Sequence, residues 1–147
     1  MSKSNYLENA ILNLIFRAVA IANIADNAAG SPLTNLYWAL HTADPGEAAT
    51  QDASEATYGS YARVAVARTV GGMTAASSGS TSPAANVVFP AATTPALPTV
   101  VSITFASIGV AISGATNILY KGPVTPNINV SAGVQPILTT ASTITED

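Results

Sequence analysis

At 147 residues the chain is about one domain long and can bury a core without covalent staples. It has no cysteine, which excludes disulfides, zinc–thiolate clusters and thiol chemistry. Charged residues make up 9% against about 25% in a typical domain, and the net charge is −3; the five basic residues (Lys3, Arg17, Arg63, Arg68 and Lys121) are scattered, which argues against nucleic-acid binding.

The first element is a helix. Ser4 or Asn5 can cap it, and Glu8 follows Asn5 by three in the manner of a capping box. Over residues 7–25 apolar positions run nearly all round, with Asn9, Asn13 and Arg17 as a polar stripe spaced by four. Such a helix is expected to be buried on most of its circumference, in its own domain or against a neighbour. Leu7, Ile11, Leu14, Ile15, Phe16 and Arg17 are the candidate contacts with another subunit or a shell. Arg17 is expected to pair with a carboxylate or carbonyl, since an unpaired buried charge is costly. Arg17 and Asn13 lie mid-segment, which argues against a membrane span, and Arg17 divides the apolar run that a signal peptide needs. A pilin-like reading lacks its processed start and its cysteine pair. Asp26, Asn27, Gly30, Ser31 and Pro32 are the expected helix stop.

Two alternating strands follow, at about residues 35–42 and 61–68, joined through an acidic turn and a polar loop. In the first, Leu36, Trp38 and Leu40 fall on one face and Tyr37, Ala39 and His41 on the other. Asp44, Pro45 and Gly46 form a turn: Asp bonds its own backbone, Pro presets φ, and Gly accepts positive φ. In the return strand Val64 and Val66 share a face opposite Arg63. This pair of strands and its loop hold the single Trp and three of the five Tyr (Tyr37, Tyr58 and Tyr61), so it is the aromatic centre of the core. The strand closes at Gly71 and Gly72. Residues 73–85 read as a Ser/Thr/Gly/Ala-rich loop or irregular edge, 87–89 as a short strand, and 91–98 as an extended crossing with two prolines. Further strands are expected at 100–107, 110–112, 118–122 and 137–144, with Pro123 and Pro126 breaking a strand or marking an edge. The fold class is therefore mainly β: an N-terminal α-helix, then an antiparallel β-sandwich or barrel-like domain of about seven to nine short strands. Residues 1–30 form the helical segment and 31–147 the β-sandwich domain, as one compact unit.

No residue set points to catalysis or a cofactor. The lone His41 sits beside a turn, and no G-x-S-x-G elbow surrounds any serine. Asp44, Glu47, Asp52 and Glu55 are an acidic cluster that could offer oxygens to calcium, but without EF-hand spacing they read better as a solvated loop. Trp38, Tyr58 and Tyr61 could stack on a sugar, while core packing of strand aromatics is the stronger reading. The charge-poor surface is expected to be covered by copies of the chain or by a partner; abundant Ser, Thr and Asn could instead solvate it.

LYWALHTADPGEA followed by GSYARVAVART resembles a family of small structural proteins of tailed bacteriophages, and the likeness extends to the helix, to FPAATT at 89–94 and to ILYKGPVTPNINVSAGVQP at 118–136. Tyr37, Trp38, Asp44, Pro45, Gly46, Tyr61 and Arg63 are the motif's candidate core and turn. An aromatic residue is expected after Gly71 and Gly72, where Met73 stands. Members are commonly labelled tail-fibre proteins, and some are better described as capsid decoration (cement) proteins. The resemblance implies a virion component. The expectation drawn from it is a non-enzymatic decoration protein on the outer capsid surface, binding the major capsid protein and copies of itself as a homotrimer or other homo-oligomer, without nucleic acid, membrane or cofactor. A tail-fibre or tail-tip component binding the host surface is the alternative.

Overall fold

The computed structural model describes residues 4–21, 32–47, 49–93 and 100–146. The stop signals at 26–31, the 30/31 boundary, residues 94–98 of the proline-rich crossing, Lys3 and Asp147 lie outside the described residues. Among the described residues the chain is mainly β, with one N-terminal helix and eight strands in antiparallel pairings. The helix is α1 (Asn5–Arg17) and the strands are β1 (Asn35–His41), β2 (Val64–Ala67), β3 (Ser80–Thr81), β4 (Val87–Val88), β5 (Val101–Gly109), β6 (Ile118–Val130), β7 (Ile137–Leu138) and β8 (Ile144–Thr145). A four-stranded sheet has the order β2-β1-β5-β6, and β3-β8 and β4-β7 are two-stranded. The chain divides into two compact units that interleave along the sequence.

One unit comprises Met1–Leu36, Val66–Asn86 and Leu138–Asp147. Ser4 is the helix N-cap and accepts from the Leu7 amide, with Glu8 in the first turn. The helix ends at Arg17, eight residues before the apolar pattern does. Ala18 turns left-handed (φ 55°), and the Val19 amide returns to the Asn13 carbonyl (3.2 Å). The stop comes from a distant cation. Arg68 donates from Nε to the Ile15 carbonyl and from Nη2 to the Leu14 carbonyl (2.8 Å), occupying the open acceptors of the last turn at the negative end of the helix dipole. Its Nη1 also reaches the Leu33 carbonyl (2.8 Å). The polar stripe faces inward. Asn9 Oδ1 accepts from the Gly79 amide (2.7 Å), and Asn13 Oδ1 accepts from the Ala76 amide (3.2 Å). These bonds hold the low-complexity stretch, read from sequence as a loop or irregular edge, which contributes the two-residue β3 paired with β8. Leu12, Phe16, Ile21, Met73 and Ile144 are buried here, so Met73 fills a core position where an aromatic residue was expected.

The other unit comprises Tyr37–Ala65 and Val87–Ile137. Strand β1 pairs with β5, with Trp38 opposite Ile108 and Leu40 opposite Ala106. From Trp38 to His41 both faces of β1 are buried, so the expected alternation holds only in its first half. Trp38, Leu40, Phe89, Ile103, Ile108 and Val130 are buried in this unit. Strand β6 runs continuously through Pro123 and Pro126. It is a sheet edge, where a missing N–H costs no ladder bond. The pairing shifts between Ile103/Ile128 and Phe105/Pro123, so residues 124–127 bulge out opposite the single residue Thr104. The strand expected at 110–112 is absent; residues 110–115 bend away from β5. Gly109, the last residue of β5, stands where a Cβ would collide with the Gln51 side chain. Gln51 is buried and donates to the Tyr37 carbonyl (2.8 Å).

Candidate functional site

The polar loop and return strand close on a buried ion pair. Tyr61 and Arg63 leave the chain two residues apart, so an extended backbone sends both to one side. Arg63 Nε meets Glu55 Oε1 at 2.7 Å and Nη2 meets Oε2 at 2.8 Å, a two-pronged pair. Arg63 also donates to the carbonyls of Ala111 (3.1 Å) and Gly114 (2.9 Å) and to Thr116 Oγ1 (3.2 Å). The Arg63 side chain is 1% exposed and that of Glu55 16%. Glu55's hydrogen bonds raise the Arg63 pKa despite burial, so the guanidinium stays charged. Tyr61 Oη donates to Glu55 Oε1 (2.9 Å) and accepts from the Leu40 amide (3.0 Å), and burial raises its pKa. The network ties residues 55, 61–63 and 110–116 together.

Aromatic rings continue this core. Tyr61 meets Tyr58 edge-on (5.2 Å between centroids) and is parallel to Phe89 (6.4 Å). Tyr58 donates to the Pro90 carbonyl (3.1 Å), and burial pushes its pKa up to about 12. Trp38 and Tyr58 are buried, so their faces are not offered to a sugar. At the turn, the Gly46 amide bonds Asp44 Oδ1 (2.8 Å) and Gly46 has φ 83°. Pro45 is buried, Tyr37 half-buried. Asp44 is exposed and pairs with Lys121 at 2.8 Å, which lowers its pKa.

His41 is fully buried. Its Nδ1 lies 2.9 Å from the Ala53 carbonyl and its Nε2 2.7 Å from Ser107 Oγ. A carbonyl only accepts, so Nδ1 carries the proton and Nε2 accepts from the Ser107 hydroxyl. The distance suits a nucleophile–base pair, but His41 and Ser107 are 0% and 1% exposed. A substrate carbonyl has no approach to Ser107 Oγ, and the pair works as a tie between β1, β5 and the loop. Burial lowers the His41 pKa below 6.5, outweighing the Ala53 bond. Above pH 6.5 the imidazole is neutral in both folded and unfolded chains. On acidification below 6.5 the unfolded chain takes up the proton first, so stability is lost until the folded-state pKa is passed. The urea midpoint is therefore expected to fall as the pH drops below 6.5, and His41→Gln to flatten that part of the profile. An unchanged slope in the variant would refute the role of His41.

The acidic cluster does not converge. Glu55 is committed to Arg63 and Asp44 to Lys121, and among the described residues no group of three or more His, Asp or Glu could hold a metal ion. No described helix is long and apolar enough to cross a membrane. On α1, Phe16 is 1% exposed in a single chain, so its side chain belongs to the protein's own core and not to an interface. Leu7, Ile11, Leu14 and Ile15 remain partly exposed, and Tyr6 is fully displayed. Arg17 takes the expected carbonyl-type partner through Nη1 to Asn13 Oδ1 (2.8 Å), while its Nε is buried with no partner. Glu55, Gln51, Arg68 and Ser107 are the residues that sequence reading did not single out as structural. The period-two placement of Tyr61 and Arg63 was the one signal, and it did not identify their acidic partner.

A family model described as "Podophage GP4 fiber I protein gp80" matches residues 2–145. No curated protein matches the sequence.

Proposed function

The chain belongs to the podophage GP4 fiber I protein gp80 family and is a phage structural protein; from that premise we propose that it is a non-enzymatic subunit of a virion fibre, held to its neighbours by apolar protein–protein contacts. The single observation that carries this reading is the family match, which covers nearly the whole sequence given and not one shared segment. Three physical features support it. The four basic side chains described all have internal partners, leaving no basic patch for phosphate. Ser107 and His41 are sealed from substrate. The outer flank of α1 offers Leu7, Ile11 and Leu14, half-buried and flanked by exposed Tyr6, as a fastening to a neighbouring subunit.

At thirteen residues α1 is about 20 Å long, too short for a fibre shaft. The chain then acts as a joint or attachment piece, with many copies adding avidity. The short helix and the small size of the chain favour a second reading: decoration of the outer capsid surface, in contact with the major capsid protein. Antibody labelling of intact virions followed by cryo-electron microscopy separates them. Label on fibres is the expected result. Label spread over the shell faces would move the assignment to decoration, and purified virions lacking the chain would overturn both.

A further inference from the structure

We propose that Arg17, at the C-terminal end of α1, receives a carboxylate side chain from a neighbouring subunit of the virion. The proposal rests on the reading of the chain as a virion subunit fastened through the outer flank of α1, and it adds one ionic contact to that flank. Tyr6, Ala10, Asn13 and Arg17 follow one another at helical spacings and form one edge of it, beside Leu7, Ile11 and Leu14.

The guanidinium is fixed but only partly used. Arg17 Nη1 donates to Asn13 Oδ1 (2.8 Å), and that oxygen also accepts from the Ala76 amide (3.2 Å), so the cation is tied to its own unit. The other edge of the group, Nε and Nη2, makes no hydrogen bond among the described residues, and Nε is buried. A buried donor without an acceptor loses its hydration with nothing in return. Arg63 shows what this edge holds when it is used: its Nε and Nη2 take the two oxygens of Glu55 at 2.7 and 2.8 Å. Among the described residues no acid of its own chain meets Arg17, since the described ion pairs use Arg63 and Lys121. An acid from a neighbour would set one oxygen on Nη2 and the other on Nε, the two-pronged geometry that satisfies the orphaned N–H. The guanidinium is already anchored, so the contact orders little more of this chain.

Chemistry selects the occupant. One fork with one charge matches a planar, singly charged carboxylate. A phosphate needs further donors, and Arg63, Arg68 and Lys121 are committed elsewhere. Half-buried Leu7, Ile11 and Leu14 favour an acid set among apolar side chains, which a peptide segment supplies. A sugar acid would gain from a ring to stack on. Exposed Tyr6 lies eleven residues before Arg17, about 16 Å along the helix, too far for one sugar to touch both.

Zero-length coupling in assembled particles tests the site. Virions carrying Arg17→Lys are treated with a water-soluble carbodiimide, which joins an amine to a carboxylate in contact with it, and the products are mapped by mass spectrometry. Lys121 and Asp44, 2.8 Å apart, are the internal control for the reagent. The expected product joins position 17 to an aspartate or glutamate in a peptide of another subunit. Arg17→Met is expected to lower incorporation into virions on the order of tenfold, and Arg17→Glu to lower it further, with thermal unfolding of the free chains close to wild type. If either variant misfolds, the coupling product decides. Control coupling without any product at position 17, coupling there to a sugar acid, or full incorporation of Arg17→Glu would overturn the site while leaving the virion subunit standing. Wild-type virions that lack the chain would overturn the reading beneath it.

Discussion

Replacing Arg63 with methionine is expected to lower the unfolding free energy by about 3–5 kcal/mol, because it strands a buried carboxylate. Glu55, 16% exposed at its side chain, would lose both guanidinium donors and keep the Tyr61 hydroxyl. The carbonyls of Ala111 and Gly114 would lose their donor as well. In thermal unfolding the loss corresponds to roughly 10–15 °C at this chain length. Arg63→Lys is expected to recover little, since one ammonium cannot span a two-pronged carboxylate and two carbonyls. Adding Glu55→Gln to Arg63→Met should restore part of the loss, because it removes the stranded charge. A double-mutant cycle by urea denaturation measures this. A loss below about 1 kcal/mol in Arg63→Met would mean that the network is incidental to stability.

Phe16→Ala is expected to cost the isolated chain about 3–5 kcal/mol, the usual range for deleting a buried aromatic ring. Leu14→Ala, on the half-buried flank one residue-pair away, is expected to cost clearly less in the isolated chain. The comparison separates the two faces of α1. Phe16 supports folding, whereas Leu7, Ile11 and Leu14 are available to a neighbour. Similar unfolding midpoints for Phe16→Ala and wild type would reverse that division.

Much of the architecture could be read from local pattern. The Ser4 cap, the alternation in the first half of β1, the Asp44–Gly46 turn and the burial of Trp38 all follow from nearest neighbours in sequence. What could not be read depends on partners far along the chain. The helix ends early because Arg68, more than fifty residues away, takes its last carbonyls. Strand β3 pairs with the distant β8, and Asn9 and Asn13 hold the backbone just ahead of it, in a stretch that composition alone presents as a loop or irregular edge. Pro123 and Pro126 were ambiguous until β6 proved to be an edge. At the site, Arg63 was singled out by the family motif, but Glu55 was one of four acids and nothing local chose it. The likeness carried by Trp38, the turn and the return strand gave the protein class, and the family match agrees with it.

Arg63 and Arg68 stand five residues apart on one stretch of chain, and both spend their guanidinium groups on internal acceptors. What remains on the outside is a weak field of acidic character. A partner therefore feels little long-range pull, and first encounters run at the unsteered diffusional pace, almost indifferent to ionic strength. If the proposed subunit contacts form, their persistence rests on slow departure after a good fit and not on steered arrival.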